Sequence, residues 1–116
     1  TPDMKVYQEE TFGPVVPVIP FGTDEEAIAL ANDTPYGLSS GVFTNDEKRG
    51  LDIAHRLESG MSHINCSPVN DEFNAPFGGT KSSGVGRYGG RWSADYYTET
   101  RWITMERGGR PYPPVF

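Results

Sequence analysis

The stretch "PFGGTKSSGVGRYGG", residues 76–90, constrains this chain more than any other, because six of its fifteen letters are glycine. Glycine reaches backbone angles that other residues avoid, and its missing side chain lets two stretches of backbone pass close together. The run therefore reads as a phosphate cradle, a flexible linker, or backbone shaped for tight turning. It contains a formal G-x-G-x-x-G match from Gly84 to Gly89, a pattern that can mark the turn where a dinucleotide's pyrophosphate meets a helix N-terminus. In a chain with 14 glycines such a match arises cheaply.

With 116 residues the prior is one domain. A hydrophobic fraction of 35% beside 14 glycines and 10 prolines predicts a thin core and much irregular backbone. The formal charge of −6 disfavours nucleic acid, which demands concentrated Lys and Arg. Cys66, the one cysteine, has no internal disulfide partner, which suits a reducing, cytoplasmic compartment. Two histidines and no Cys-x-x-Cys leave no basis for a metal site. No long apolar run predicts a membrane span. Thr1 leads into Pro2-Asp3 with neither an initiator methionine nor a signal peptide, which hints at a chain that begins within a longer protein.

"VVPVIPF", residues 15–21, predicts a strand limited by Pro17 and Pro20. "TDEE" from Thr23 is a capping box, so a helix should start there and show Ala27, Leu30 and Ala31 on one stripe until Pro35 stops it. "SSGVFT", residues 39–44, predicts a second strand. A second capping box at Thr44 opens a second helix with Leu51, Ala54 and Leu57 on its apolar face, Gly50 weakening it and Gly60 ending it. "MSHIN", residues 61–65, predicts a third strand. This β-α-β-α-β order is the pattern of an α/β fold with a parallel sheet. Beyond the glycine run a short helix is expected over residues 92–98. A last strand follows over 101–106, with Ile103 and Met105 on one face and Trp102 on the other, which implies cover on both sides. The tail "RGGRPYPPVF" should be extended.

Two places invite chemistry. Cys66 would need a base, a cation or a helix N-terminus to become a nucleophile, and His63, three residues away on a strand, points to the opposite face. An ordinary thiol is therefore the better reading. His63 and His55 read as a hydrogen-bonded sheet residue and a solvated helix residue. The second place is "EETFGPVVP", residues 9–17, where carboxylates, an aromatic ring and a rigid Gly-Pro turn sit together. It fits a loop entering a strand with Phe12 buried, or a carboxylate that holds a ribose hydroxyl pair beside a packed ring.

"EETFGPVVPV" and "PFGGTKSSGVGRYGG" together resemble the two signature blocks of the carboxyl-terminal part of the NAD(P)-dependent aldehyde dehydrogenase superfamily. "YGLSSGVFT" and the intervening helices resemble it too. "HIN" followed by "NDE" ahead of the Phe-Gly-Gly resembles the aromatic branch, the benzaldehyde, vanillin and salicylaldehyde dehydrogenases. The resemblance implies that Glu10 binds the nicotinamide-side ribose hydroxyls of NAD or NADP, with Phe12 packed near that ribose and Phe77 lining the aldehyde pocket. Arg87 and Glu99 resemble a pair at a subunit contact, and residues 101–106, with Trp102 and Ile103, would join an oligomerisation sheet of a homodimer or homotetramer. Residues 1–98 would then be the end of the catalytic domain and residues 99–116 an oligomerisation strand and tail. Tyr88 stands where the family frequently has Glu.

The resemblance assigns the glycine run to backbone packing near an active site rather than to a phosphate cradle. That agrees with its place after a polar loop instead of a strand. The family's chemistry is attack by a cysteine thiolate on an aldehyde, hydride transfer to NAD(P), then thioester hydrolysis with a glutamate base. Neither the nucleophile's motif nor the base's is found here, nor the amino-terminal dinucleotide-binding fold. The chain thus reads as a fragment, inactive alone, of an enzyme that oxidises an aldehyde. The contrasting reading is a non-catalytic interaction module.

Overall fold

The computed structural model describes residues 1–109. The elements in chain order are α1 (Lys5–Gln8), α2 (Asp24–Asn32), β1 (Tyr36–Gly37), β2 (Ser39–Val42), α3 (Glu47–Arg56), β3 (Met61–Ile64), β4 (Thr80–Lys81) and α4 (Gly90–Tyr97). The fold is α/β. β2 and β3 pair in parallel, Ser39 opposite Met61 through Val42 opposite Ile64, with α3 as the crossover between them. β1 and β4 form a short antiparallel ribbon, Tyr36 opposite Lys81 and Gly37 opposite Thr80.

α2 starts where its capping box predicts. The Glu26 amide donates to Thr23 Oγ1 at 3.2 Å, while the Glu26 carboxylate accepts from the Gly22 amide at 2.7 Å, one residue earlier than the reciprocal bond of the motif. Its buried side chain is Ile28, which joins the expected stripe of Ala27, Leu30 and Ala31; Ala31 lies on that face but is exposed because it borders open hollows. α3 begins two residues after the expected cap. Asp46 Oδ1 accepts from the Arg49 amide at 3.0 Å, and Thr44 Oγ1 takes the Asp46 amide at 3.1 Å, turning the chain into the helix.

Gly50 plays a larger part than a weak helix former. It is buried, and a β-carbon there would come within 3.1 Å of Ile64 Cγ2, so the glycine sets how closely α3 lies on β3. Leu51, expected on the apolar face, is exposed; Gly50, Ile53, Ala54 and Leu57 form that face instead. Gly60 does not end the helix, which stops at Arg56. A β-carbon on Gly60 would collide with the Gly78 carbonyl, so glycine is needed there for close approach of backbone to backbone.

Two expected strands have no ladder. Residues 15–21 are irregular, with Val16 and Val18 exposed, since Pro17 and Pro20 supply no backbone donors and no neighbouring strand among the described residues accepts the rest. Residues 101–106 are likewise unpaired among the described residues, and Trp102 is 91% exposed. The predicted tail lies outside the described residues from 110 onward. The final helix spans Gly90–Tyr97, two residues earlier than expected.

The thin core is borne out, since among the described residues only Ile28 and Val42 are buried apolar side chains. The accessible surface is 9865 Å², against about 6,300 Å² for a compact monomer of this mass. The radius of gyration is 22.3 Å, where about 13 Å is usual for this length. The chain is thus extended, with more surface exposed than a compact monomer of its size.

Candidate functional site

The glycine run resolves first. The Tyr88 amide donates to the Phe77 carbonyl and the Phe77 amide to the Tyr88 carbonyl, both at 2.8 Å. The Gly89 amide donates to Ser93 Oγ at 2.8 Å and the Gly90 amide to the Phe73 carbonyl at 2.9 Å. These amides are committed to the chain's own acceptors, so they do not converge on an anion as a phosphate cradle requires. Arg87 is equally committed: its Nη1 donates to the carbonyls of Gly79 and Gly86, each at 2.8 Å. The run folds back on itself and presents Phe77 at one side and Ser82 and Ser83 at the other.

Ser82 and Ser83 face a hollow of about 440 Å³ between the ends of α2 and α3 and the β1–β4 ribbon. Glu10 reaches its rim, and Ser39, Ser40 and Ser59 add hydroxyls. Several of these groups are already oriented. Ser83 Oγ accepts from the Gly37 amide at 2.9 Å, and the hydroxyls of Ser40 and Ser59 lie 2.8 Å apart. A carboxylate among hydroxyls can hold a polyhydroxyl group such as a ribose, because it accepts two adjacent O–H donors while the hydroxyls donate or accept as needed.

Phe77 lines two adjoining hollows. One, of about 270 Å³, adds Met61, His63, Glu72 and Ala75; the other, of about 380 Å³, adds Pro68 and Val69. Leu38 and Ser39 belong both to this second hollow and to the one that Glu10 rims. The structure thus brings Glu10 and Phe77 to two cavities with a shared wall, one polar and one more apolar. Phe12 is not in either: its ring is 94% exposed, so the expected buried aromatic is absent within this chain.

Arg87 and Glu99 form no ion pair with each other among the described residues. Glu99, Trp102 and Ile103 all lie on exposed, irregular chain. Cys66 is an exposed free thiol just past β3. His63 is half-buried, and its Nε2 is buried without a hydrogen-bond partner among the described residues. No group of three or more metal-ligating side chains occurs among the described residues, and no helix there is long and apolar enough to cross a membrane.

Two electrostatic contacts brace the frame. Arg49 pairs with Asp24 through two guanidinium nitrogens, linking α3 to α2, and holds the Asp24 carboxyl below its ordinary pKa, chiefly by hydrogen bonding. Tyr7 in α1 donates to Asp33 Oδ2 at 2.8 Å, which raises the Tyr7 phenol above its ordinary value. Sequence reasoning missed a third feature, Lys81. Its ammonium bridges the end of α2 and the chain just past α3, and the only signal was one of two cations, with Arg87, inside the glycine block.

A family model described as "Aldehyde dehydrogenase family" matches residues 1–103. Vanillin dehydrogenase from Pseudomonas sp. (strain HR199 / DSM 7063) is 47% identical over 97% of this chain and 24% of its own length. The crystal structure of a salicylaldehyde dehydrogenase from Pseudomonas putida G7, complexed with salicylaldehyde, superposes with a TM-score of 0.87. It is 49% identical and covers 97% of this chain and 23% of its own. The NAD+ complex of an aldehyde dehydrogenase from Bacillus cereus gives a TM-score of 0.83 at 44% identity, covering 91% of this chain and 22% of its own. The chain spans about a quarter of the length of the curated relatives it matches.

Proposed function

Since the chain belongs to the aldehyde dehydrogenase family, we propose that it is one wall of the active-site cleft of an enzyme that oxidises an aromatic aldehyde to the carboxylic acid with NAD or NADP. Glu10 holds the hydroxyl pair of the nicotinamide-side ribose, and the donor set around it fits: one carboxylate at the rim and serine hydroxyls on the wall. Phe12 packs beside that ribose once the facing part of the enzyme is present. Phe77 lines the aldehyde pocket next door. The observation that supports this reading is the shared wall of Leu38 and Ser39 between the polar hollow of Glu10 and the pocket of Phe77, as adjacent places for a cofactor sugar and a ring-bearing substrate would need.

The cofactor, when bound, accepts the hydride that leaves the aldehyde carbon. This chain's own residues orient and enclose; the cysteine nucleophile and glutamate base are assigned to the part of the protein outside these 116 residues. Residues 1–98 belong to the catalytic domain in this reading. Residues 99–116, with Trp102 and Ile103 exposed, provide the contact with another subunit of a homodimer or homotetramer, where Arg87 and Glu99 lie. Vanillin and salicylaldehyde, the aldehydes of the relatives above, support the aromatic substrate class.

The test is NAD(P)-dependent oxidation of benzaldehyde, salicylaldehyde and vanillin by the full-length protein, with an aliphatic aldehyde for comparison. Preference for the aromatic set is expected. No turnover of any aromatic aldehyde would overturn the substrate class, and no turnover of any aldehyde would leave the interaction-module reading standing.

A further inference from the structure

Lys81 occupies a costly position. Its φ is +51°, in the left-handed region that L side chains rarely adopt. Its side chain is only 24% exposed, and its ammonium makes three short contacts: the Asn32 carbonyl at 2.7 Å, the Thr34 carbonyl at 3.1 Å and Glu58 Oε2 at 2.7 Å. An ammonium has three N–H donors, so every donor is used. Asn32 is the last residue of α2, whose final carbonyls have no partner inside the helix and carry the negative end of its dipole; Lys81 donates to one of them, the Asn32 carbonyl, from 49 positions away. Glu58 follows α3, and the Asn32 side chain completes the joint, Oδ1 accepting from the Glu58 amide at 2.9 Å and Nδ2 donating to the Arg56 carbonyl at 3.0 Å.

All three groups that Lys81 grips belong to residues of the polar hollow, as do the two serines that follow it in sequence. The left-handed turn at Lys81 leads directly into Ser82 and Ser83. The Ser82 amide then meets the Pro35 carbonyl at 2.9 Å, and Ser83 Oγ takes the Gly37 amide. One cation thus fixes the separation of the α2 end, the α3 end and the β1–β4 ribbon, the three edges that define the cavity.

We infer that Lys81 is a positioning residue for the cofactor-sugar wall, holding the rim of the Glu10 hollow at the width a ribose requires. This rests on the reading of Glu10 as the ribose carboxylate. A lysine that served stability alone would not need to converge on the carbonyls of two rim residues and the carboxylate of a third while bearing a strained backbone.

The experiment uses the full-length protein with Lys81→Met, Lys81→Arg and Glu58→Gln. Lys81→Met keeps the stem but removes the ammonium, and we expect the KM for the nicotinamide cofactor to rise about tenfold, with kcat and the KM for aldehyde changing less than about twofold. Lys81→Arg restores the cation and should recover part of the loss. Glu58→Gln leaves both carbonyl contacts and should cost about two- to threefold in the same constant. Hydrogen exchange of the amides from Asp33 to Gly37 supplies a readout independent of turnover, and their protection should fall in Lys81→Met.

An unchanged cofactor KM in soluble Lys81→Met, or a loss spread equally over kcat with no change in KM, overturns the inference in favour of a purely structural lysine. Unchanged exchange protection from Asp33 to Gly37 overturns it as well. If Lys81→Met does not fold, an unchanged cofactor KM in both Lys81→Arg and Glu58→Gln has the same force. Failure of the underlying reading looks different: unmodified protein that oxidises no aldehyde, with the exchange effect at Lys81 intact.

Discussion

Residues 15–21, "VVPVIPF", and β2, "SSGV", invert what β propensity predicts. The first is almost wholly apolar and β-branched, yet it forms no ladder and leaves Val16 78% and Val18 87% exposed. The second holds two serines and a glycine, poor strand formers, and pairs over four residues with β3. The difference lies in the partner. β2 is tied to β3 by a ten-residue helix that returns the chain to its side, whereas residues 15–21 have two prolines and no strand opposite them among the described residues. In the proposed reading, this unpaired apolar sequence is where the rest of the enzyme docks.

Substituting Gly60 strikes the paired region hardest. Gly60→Val puts a branched side chain where the Gly78 carbonyl stands, so we expect a loss of about 3 kcal/mol or more, or no soluble protein. A melting temperature equal to that of the parent would show that the close approach is wrong. The unpaired region is probed by Val16→Thr with Val18→Thr. In the isolated 116-residue chain the double variant should melt within about 0.5 kcal/mol of the parent. In the full-length protein it should lose about 1–3 kcal/mol, because burial happens only there. Equal effects in the two settings would break the comparison.

Glu10→Gln, at the edge between the regions, should raise the cofactor KM about tenfold with an unaltered melt, and unchanged kinetics would remove Glu10 from the site. The smallest effect is expected at Asp24. Because Arg49 depresses the folded carboxyl's pKa, the contribution of the pair is present above the unfolded value and is lost as pH falls below about 4 through the folded one. In Asp24→Asn that part of the acid dependence should vanish from a pH series of melting temperatures. Arg49 is exposed and Asp24 partly so, so salt should weaken the effect further.

Much of the frame was legible locally. Thr23 and Pro35 bracket α2 because a cap hydroxyl and a pre-proline residue act on neighbouring backbone alone. α3 was found but shifted, since Thr44 and Asp46 both offer cap oxygens and only the geometry of the turn from β2 chooses between them. Glu10 and Phe77 were flagged by motif. That they border hollows with a common wall follows from the β1–β4 ribbon, which pairs residues more than forty positions apart and has no signal in either two-residue strand.

By itself the sequence determined the capped helices, the parallel crossover, the thin core and the family, because each depends on near neighbours or on the order of short motifs. Tertiary structure alone decided that Gly50 and Gly60 are contact points rather than helix breakers. It also decided that the amides of Phe77, Tyr88, Gly89 and Gly90 go to acceptors of the chain itself, and that Lys81 joins the ends of two helices. The reason is physical: a glycine's missing side chain and a lysine's three donors acquire meaning only from the atoms brought against them, and those atoms come from distant parts of the chain.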